Sequence, residues 1–284
     1  MKHFLIITNS FKDTNLKLTG QICRYIRKKG GSCSYYTCNG EGEAAPCADE
    51  IPPHTQGVIV LGGDGTLIRA ADHMVHTGLP LVGVNLGTLG YLCELEENQV
   101  FCAIDLLFSD SYTVEERMML TGCGVKDKTV LPSKIAFNDI VIHRTGALSI
   151  VNLIVWVNGA YLHTFHADGV ILSTPTGSTG YNMSAGGPIV DPKASMILIT
   201  PINAHNLNSR SIVIGDGDEV TVELGKRRSQ KDETVEVSFD GDNSVKLEVG
   251  DRFMIRKAND TTKILKLGSR GFLEILRGKM ENYR

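Results

Sequence analysis

A chain of 284 residues, 21% of them charged and with a formal net charge of −3, is long enough for two domains with separate cores. Its near-neutral balance supplies no general electrostatic pull toward nucleic acid or anionic membrane, which excludes those partners as a first reading. No apolar run approaches the roughly 20 residues that span a bilayer, and Met1-Lys2-His3-Phe4-Leu5-Ile6-Ile7-Thr8 has too short an apolar stretch and no cleavage site for a signal peptide, so a cytoplasmic protein is expected.

The first part alternates strand-like and helix-like segments at βαβ spacing, which predicts an α/β domain with a mostly parallel sheet. Phe4 to Thr8 reads as a strand, Leu16 to Lys29 as an amphipathic helix ending at Gly30-Gly31, and Ser32 to Thr37 as a second strand. Asn39 to Thr55, rich in Gly, Glu, Ala and Pro, reads as a surface loop. A strand from Val58, a helix from Thr66 to His76 and a buried strand from Leu81 to Asn85 follow. Gly87-Thr88-Leu89-Gly90-Tyr91-Leu92 forms a second glycine turn. After Ser109 the pattern becomes β-rich: Met119 to Val125, Ile135 to His143, Leu148 to Val157 and Tyr161 to His166 read as strands, with a turn at Asn158-Gly159. Ile197 to Thr200, Ile212 to Ile214, Glu219 to Leu224, Thr234 to Phe239 and Phe253 to Lys257 continue it. Lys226-Arg227-Arg228 reads as a solvated hairpin tip, and Phe272 to Arg277 as a strand or short helix. The expected domains are 1–112 (α/β), 113–266 (β-rich) and a tail, 267–284, that packs back on the first.

Seven cysteines (Cys23, Cys33, Cys38, Cys47, Cys93, Cys102, Cys123) without a Cys-x-x-Cys pair argue against a disulfide framework or a zinc ribbon. His163 and His166, three apart on a strand, fall on opposite faces, so no fixed protein metal site is expected.

Chemistry concentrates in three places. Val58 to Thr66 runs from apolar residues into Gly62-Gly63-Asp64-Gly65, where main chain can approach phosphates without side-chain obstruction and an acid can engage a hydroxyl or a metal. The alternative is a plain βα turn whose Asp64 only caps the helix from Thr66. Asp168 to Pro188 gathers hydroxyls, glycines and Tyr181 far beyond the needs of a connection; small residues admit a planar ring, Tyr181 can stack on it, and Ser and Thr hydroxyls can reach ring nitrogens or ribose oxygens. Asn138-Asp139 can hold a ribose diol through one amide and one carboxylate, or be an ordinary Asn-Asp turn.

With Leu61 to Thr66, Asn138-Asp139 and Asp168 to Pro188 in this order, the chain resembles the NAD kinases (the ATP-NAD kinase family) over nearly its whole length. The resemblance implies an N-terminal α/β domain, a β-rich NAD-binding domain, and phosphorylation of the adenosine-ribose 2′-hydroxyl of NAD by ATP, with Mg²⁺ or another divalent ion on the donor. It assigns catalysis to Asp64, which orients or deprotonates the hydroxyl. NAD-binding positions carry over to Asp64, Gly65, Arg69, Tyr91, Asn138, Asp139, His166, Asp168 and Thr179, Gly180, Tyr181, Asn182, Met183 and Ser184; Gly62, Gly63 and Gly65 would meet phosphates. It also implies a homodimer or homotetramer. Four positions depart from the family's pattern. Asp139 stands for the usual Glu, His166 for a frequent Arg whose permanent charge and bidentate geometry it lacks, Tyr91 for Phe, and Asp242 for Gln or Arg.

Two other readings stay open on the sequence alone. The same Gly-Gly-Asp-Gly turn occurs in lipid and sugar kinases, though without a run like Asp168 to Pro188. A dinucleotide sensor or oxidoreductase would use Gly87-x-x-Gly90, which lacks the full Gly-x-Gly-x-x-Gly pattern. No Walker-type Gly-x-x-x-x-Gly-Lys-Ser/Thr loop is present.

Overall fold

The structure, a computed structural model, describes residues 1–39, 50–87, 90–126, 129–145, 150–205, 209–226, 234–268 and 271–281. Most of the 39–55 loop, Thr88 and Leu89 of the second glycine turn, and Arg227 and Arg228 lie outside the described residues. The chain divides into two compact units, Met1–Arg117 with Thr261–Arg284, and Met118–Asp260.

The first unit is an α/β layer structure. Strands β1 (His3–Asn9), β2 (Ser32–Cys38), β3 (Gly57–Gly62), β4 (Leu81–Asn85) and the short β5 (Leu95–Glu96) pair in parallel in the order β2-β1-β3-β4-β5. Helices α1 (Lys17–Lys28), α2 (Asp64–Met74) and α3 (Val100–Phe108) connect or flank them. β1, β3 and β4 read as continuous apolar runs because both faces are covered. Phe4, Ile6, Ile59, Leu61, Val82 and Val84 form one core with Ile22 and Ile26 of α1 and Ile104 and Leu107 of α3. α2 buries Leu67, Ala70, Ala71 and Met74, with Leu67 close enough to Gly83 that a Cβ there would stand 3.2 Å from it. α1 is held at its start by the buried carboxylate of Asp13, which accepts the amides of Leu18 and Thr19, and at its end the chain turns at Gly30 with φ +83°.

The second unit is built on antiparallel strand pairs. β6 (Thr113–Lys126), which starts in the first unit, β7 (Thr129–Val130), β8 (Lys134–Ala136), β9 (Asp139–Arg144), β10 (Val151–Val157), β11 (Ala160–Ala167) and β12 (Gly169–Ser173) lead into the short helix α4 (Tyr181–Ser184). β13 (Met196–Ile202), β14 (Ile212–Gly215), β15 (Val220–Gly225), β16 (Thr234–Phe239), β17 (Asp242–Glu248) and β18 (Arg252–Lys266) complete it, and from Thr261 β18 belongs to the first unit. One layer runs β14-β13-β12-β9-β16-β17 and the other β11-β10-β15-β18. Their inward residues, among them Ile140, Ile142, Leu153, Phe165, Val170, Leu172, Val222, Val237 and Phe253, make a single core. Truncating a side chain as fully buried as Phe165 to Ala would cost about 3–5 kcal/mol. Two-residue turns join β10 to β11 at Asn158-Gly159 (φ 51° and 77°) and β16 to β17 at Asp240-Gly241 (φ 52° and 85°), the positive-φ pairs that match the strand twist.

The predicted strands of the first part, the helix after Leu16 and the β-rich character of the second part are all present. Several boundaries differ. α2 begins at Asp64, two residues early, with Gly63 as its extended N-cap (φ −141°, ψ −173°). Ile135 to His143 is two strands broken at Phe137-Asn138, for a reason that lies in the site below. α3 and β17 add to the expected elements, β18 is far longer than Phe253 to Lys257, and Phe272 to Arg277 lies in a helix, α5 (Phe272–Glu281).

Candidate active site

In the first unit, the carboxylate of Asp64 is gripped from a distant segment. Oδ2 accepts the amide of Tyr91 at 2.7 Å, and Oδ1 those of Leu92 at 3.2 Å and Cys93 at 3.0 Å. Asp64 is therefore no mere cap for its own helix, which corrects that alternative: its oxygens point away from the α2 amides. Gly90 must be glycine for this to happen, since a Cβ there would fall on the Asp64 carboxylate. Burial, with the charge of Asp64 beside it, pushes the Cys93 thiol well above the ordinary thiol range. Gly65 is exposed, and nothing lies within 4 Å of where a Cβ on it would stand, so its backbone is open to a ligand. Arg69, one helical turn on, shares that face of α2. Tyr91 is partly buried, with Lys279 Nζ of α5 5.3 Å from its ring centre.

In the second unit, the structure brings the other two motifs together. Asp240, at the positive-φ turn after β16, accepts the amides of Phe137 (2.6 Å), Asn138 (2.7 Å) and Asp139 (3.0 Å). Three consecutive amides pointed at one carboxylate cannot alternate in a strand ladder, which is why β8 and β9 are separate. From the other side the 3-10 turn Thr176–Thr179 packs against the same segment. Asn138 O accepts Thr174 N at 2.8 Å, Thr174 Oγ1 donates to Phe137 O at 2.8 Å, and a Cβ on Gly177 would collide with the Asn138 carbonyl. Asn138 Nδ2 lies 3.7 Å from where a Cβ on Gly180 would sit.

A cavity of ≈ 700 Å³ opens beside this junction, lined by Asn138, Asp139, Val141, His143, Tyr181, Glu236, Ser238, Asp240, Gly241, Asp242 and Ser244. Tyr181, 46% exposed, presents its ring there. Asp139 is almost wholly buried, and that burial, with the charge of Asp240 beside it, pushes its carboxyl up to about 7. Asp242, one of the departures, also lines the cavity.

The remaining expected positions fall elsewhere around the run. Asn182 is fully buried: its amide donates to Ser178 O at 3.1 Å and Pro188 O at 3.0 Å, and its Oδ1 accepts Thr200 Oγ1 at 2.7 Å. Its side chain thus ties the loop rather than facing the cavity. Thr179, Gly180 and Met183 are partly exposed and Ser184 is exposed. Asp168 accepts Asn203 Nδ2 at 3.0 Å and Arg144 Nε at 2.8 Å, and these donors hold it below the usual carboxylate range. His166 is exposed, with Nδ1 2.7 Å from Asn152 Oδ1. Sequence reasoning missed Asp240, Glu236, Ser238 and His143. The Asp240-Gly241 turn signal between two strand-like runs was the available clue to the first.

Similarity to known families decides what these parts belong to. The ATP-NAD kinase N-terminal domain matches residues 47–112 and the ATP-NAD kinase C-terminal domain matches residues 137–267. The chain belongs to the NAD kinase family. It is 55% identical over 285 residues to an NAD kinase of Agathobacter rectalis, covering 100% of both chains, and 40% identical over 296 residues to one of Lachnospira eligens, covering 99% of this chain and 100% of that one. Its fold is that of yeast NADH kinase complexed with NADH (TM-score 0.86, 22% identity, 99% of this chain and 88% of that one). It is also that of an NAD kinase from Archaeoglobus fulgidus in complex with ATP (TM-score 0.78, 20% identity, 98% of each). As an NAD kinase, the chain is a phosphotransferase that converts NAD to NADP with ATP as donor. No helix among the described residues is long and apolar enough to cross a membrane.

Proposed function

We propose that Asp64 is the group that orients the adenosine-ribose 2′-hydroxyl of NAD and takes its proton as the phosphoryl group leaves ATP. The observation that carries this is the amide grip from Tyr91, Leu92 and Cys93. A sugar hydroxyl is a poor nucleophile, so the base must be held in one place, and a carboxylate pinned by main chain loses little freedom when substrate arrives. Oδ2 carries one amide where Oδ1 carries two, which makes Oδ2 the oxygen better able to accept the hydroxyl proton. The open backbone of Gly65 and the partly exposed Gly63 at the start of α2 suit phosphate oxygens, with Gly62 buried beneath them at the end of β3, and Gly65, Arg69 and Tyr91 complete the contacts of this unit with substrate.

In the second unit, Tyr181 would stack on a ring, and Asn138 and Asp139 would take the ribose diol. Asn138 Oδ1 and Thr176 Oγ1 are buried without a partner among the described residues, which fits acceptors and donors meant for a polar ligand. Thr179, Gly180, Met183, Ser184, Asp168 and His166 supply further NAD contacts; Asn182, its side chain committed internally, would contribute through main chain. Mg²⁺ would enter with the donor, where it would offset charge on the phosphates. Six free cysteines among the described residues suit a reducing cytoplasm. Assembly as a homodimer or homotetramer rests on the family resemblance, and β14 and β11, which end their layers, leave strand edges on which a second copy could pair.

Incubating the purified chain with NAD, ATP and Mg²⁺ and measuring NADP tests the reading as a whole. NADP formation supports it. ATP turnover that needs a lipid or sugar acceptor, or dinucleotide binding without turnover, would overturn it.

A further inference from the structure

Lys12 occupies the turn that leaves the carboxyl end of β1, and that turn is rigidly built. Phe11 N donates to Asn9 Oδ1 at 3.0 Å, and Lys12 N and Asp13 N donate to Asn9 O at 3.1 and 2.9 Å. The next residue, Asp13, is buried and spends its carboxylate on Leu18 N and Thr19 N, each at 2.9 Å, and on the Thr19 hydroxyl at 2.6 Å. From this fixed base the Lys12 side chain reaches over the glycine turns. A Cβ on Gly63 would stand 2.9 Å from Lys12 Nζ, and one on Gly87 would stand 3.6 Å from it. Lys12 is exposed, and among the described residues its ammonium has no ion-pair partner.

This is an electrostatically odd place for a cation. Gly63 is the N-cap of the 11-residue helix α2, whose start carries partial positive charge and whose first-turn acid, Asp64, is turned to the amides of Tyr91, Leu92 and Cys93, so the ammonium and the helix start together favour a further anion above Gly63. The reaction supplies such an anion in the triphosphate of ATP. We propose that Lys12 is a positioning residue for the donor, its ammonium meeting triphosphate oxygens above Gly63. This rests on the reading that the Gly62 to Gly65 turn receives phosphates. In the transfer, the acceptor oxygen forms its bond to the γ-phosphorus, the bond from that phosphorus to the β,γ-bridging oxygen breaks, the hydroxyl proton passes to Asp64, and ADP leaves. Lys12 forms and breaks no bond. It fixes the donor chain and offsets its charge.

Three variants, Lys12→Met, Lys12→Arg and Gly63→Ala, test it by steady-state kinetics with ATP and NAD varied separately, with thermal melting as the check on folding. Lys12→Met is expected to raise KM for ATP about 10- to 100-fold while KM for NAD stays within twofold, and Lys12→Arg to recover most of the loss. Inhibition by inorganic tripolyphosphate, competitive with ATP, should weaken in Lys12→Met by a similar factor, whereas inhibition by adenosine should not change. A Lys12→Met enzyme with KM for ATP and kcat within twofold of the parent, or with only KM for NAD altered, overturns the proposal. If Gly63→Ala then still impairs ATP use, the turn's phosphate role stands without Lys12; if Gly63→Ala is also silent, both readings fall.

Discussion

Asp64 and Tyr91, 27 residues apart in sequence, meet at 2.7 Å between a carboxylate oxygen and a backbone amide. The contact joins the glycine turn after β3 to the end of the second glycine turn, and with Leu92 and Cys93 it makes the position of the acid a property of two chain segments. Asp64→Asn would keep the size of the side chain while removing the base. Turnover should fall at least about 100-fold, with the dissociation constant for NAD much less affected. The new amide group would also face a backbone N–H, a donor against a donor, at a cost of about 1–3 kcal/mol in a denaturant titration. Parent-like turnover in this variant would remove Asp64 from the mechanism.

Tyr181 offers the opposite balance. Its ring is 46% exposed beside the cavity, so Tyr181→Ala should change stability by no more than about 0.5 kcal/mol. Loss of ring stacking is worth about 1–3 kcal/mol, so KM for NAD should rise roughly tenfold or more, and Tyr181→Phe should restore it. Equal KM values for parent and Tyr181→Ala would exclude a stacking role.

Asp139 links the site to pH. Its carboxyl is pushed up from 3.8 to about 7, chiefly by burial and then by Asp240, so the folded protein binds this proton more tightly than the unfolded chain does. The stabilisation tied to that proton is fully present below about pH 4 and is lost as pH rises toward 7. Asp139→Asn cannot lose a proton there. Urea midpoints measured from pH 4 to 8 should therefore fall less steeply with rising pH in Asp139→Asn than in the parent; identical slopes would show that Asp139 titrates normally.

Gly177→Ala tests the junction of the two motifs in the second unit. The added Cβ would run into the Asn138 carbonyl, a backbone atom that Thr174 N also holds, so relief requires moving main chain. A loss of about 1–3 kcal/mol is expected, together with weaker NAD binding as the Phe137 to Asp139 segment shifts. A fully stable variant with unchanged NAD affinity would mean that the turn is not held against Asn138.

What the residues alone determined is whatever has a local signature. Phe4 to Thr8 and Val58 to Leu61 are too continuously apolar for half-exposed strands, the Asn158-Gly159 pair suits a tight hairpin, and the glycine, hydroxyl and acid motifs taken in order identify the family. Local signatures were ambiguous where patterning was weak. α3 is nine residues, Val-Phe-Cys-Ala-Ile-Asp-Leu-Leu-Phe, apolar nearly all round, so it shows little polar face by which to be recognised. β18 carries Asn259, Asp260 and two threonines in mid-strand, which hid its 15-residue length.

Only tertiary structure decided where the acids act. Asp240 holds amides 101 to 103 residues away, splitting what reads as one strand into β8 and β9, and the amides that hold Asp64 come from a segment after the next strand. Such pairings repeat with no period and require no particular side chain at the donor position, because the donor is backbone. A sequence shows which carboxylates exist; which amides close on them is set by how the strands bring distant turns together.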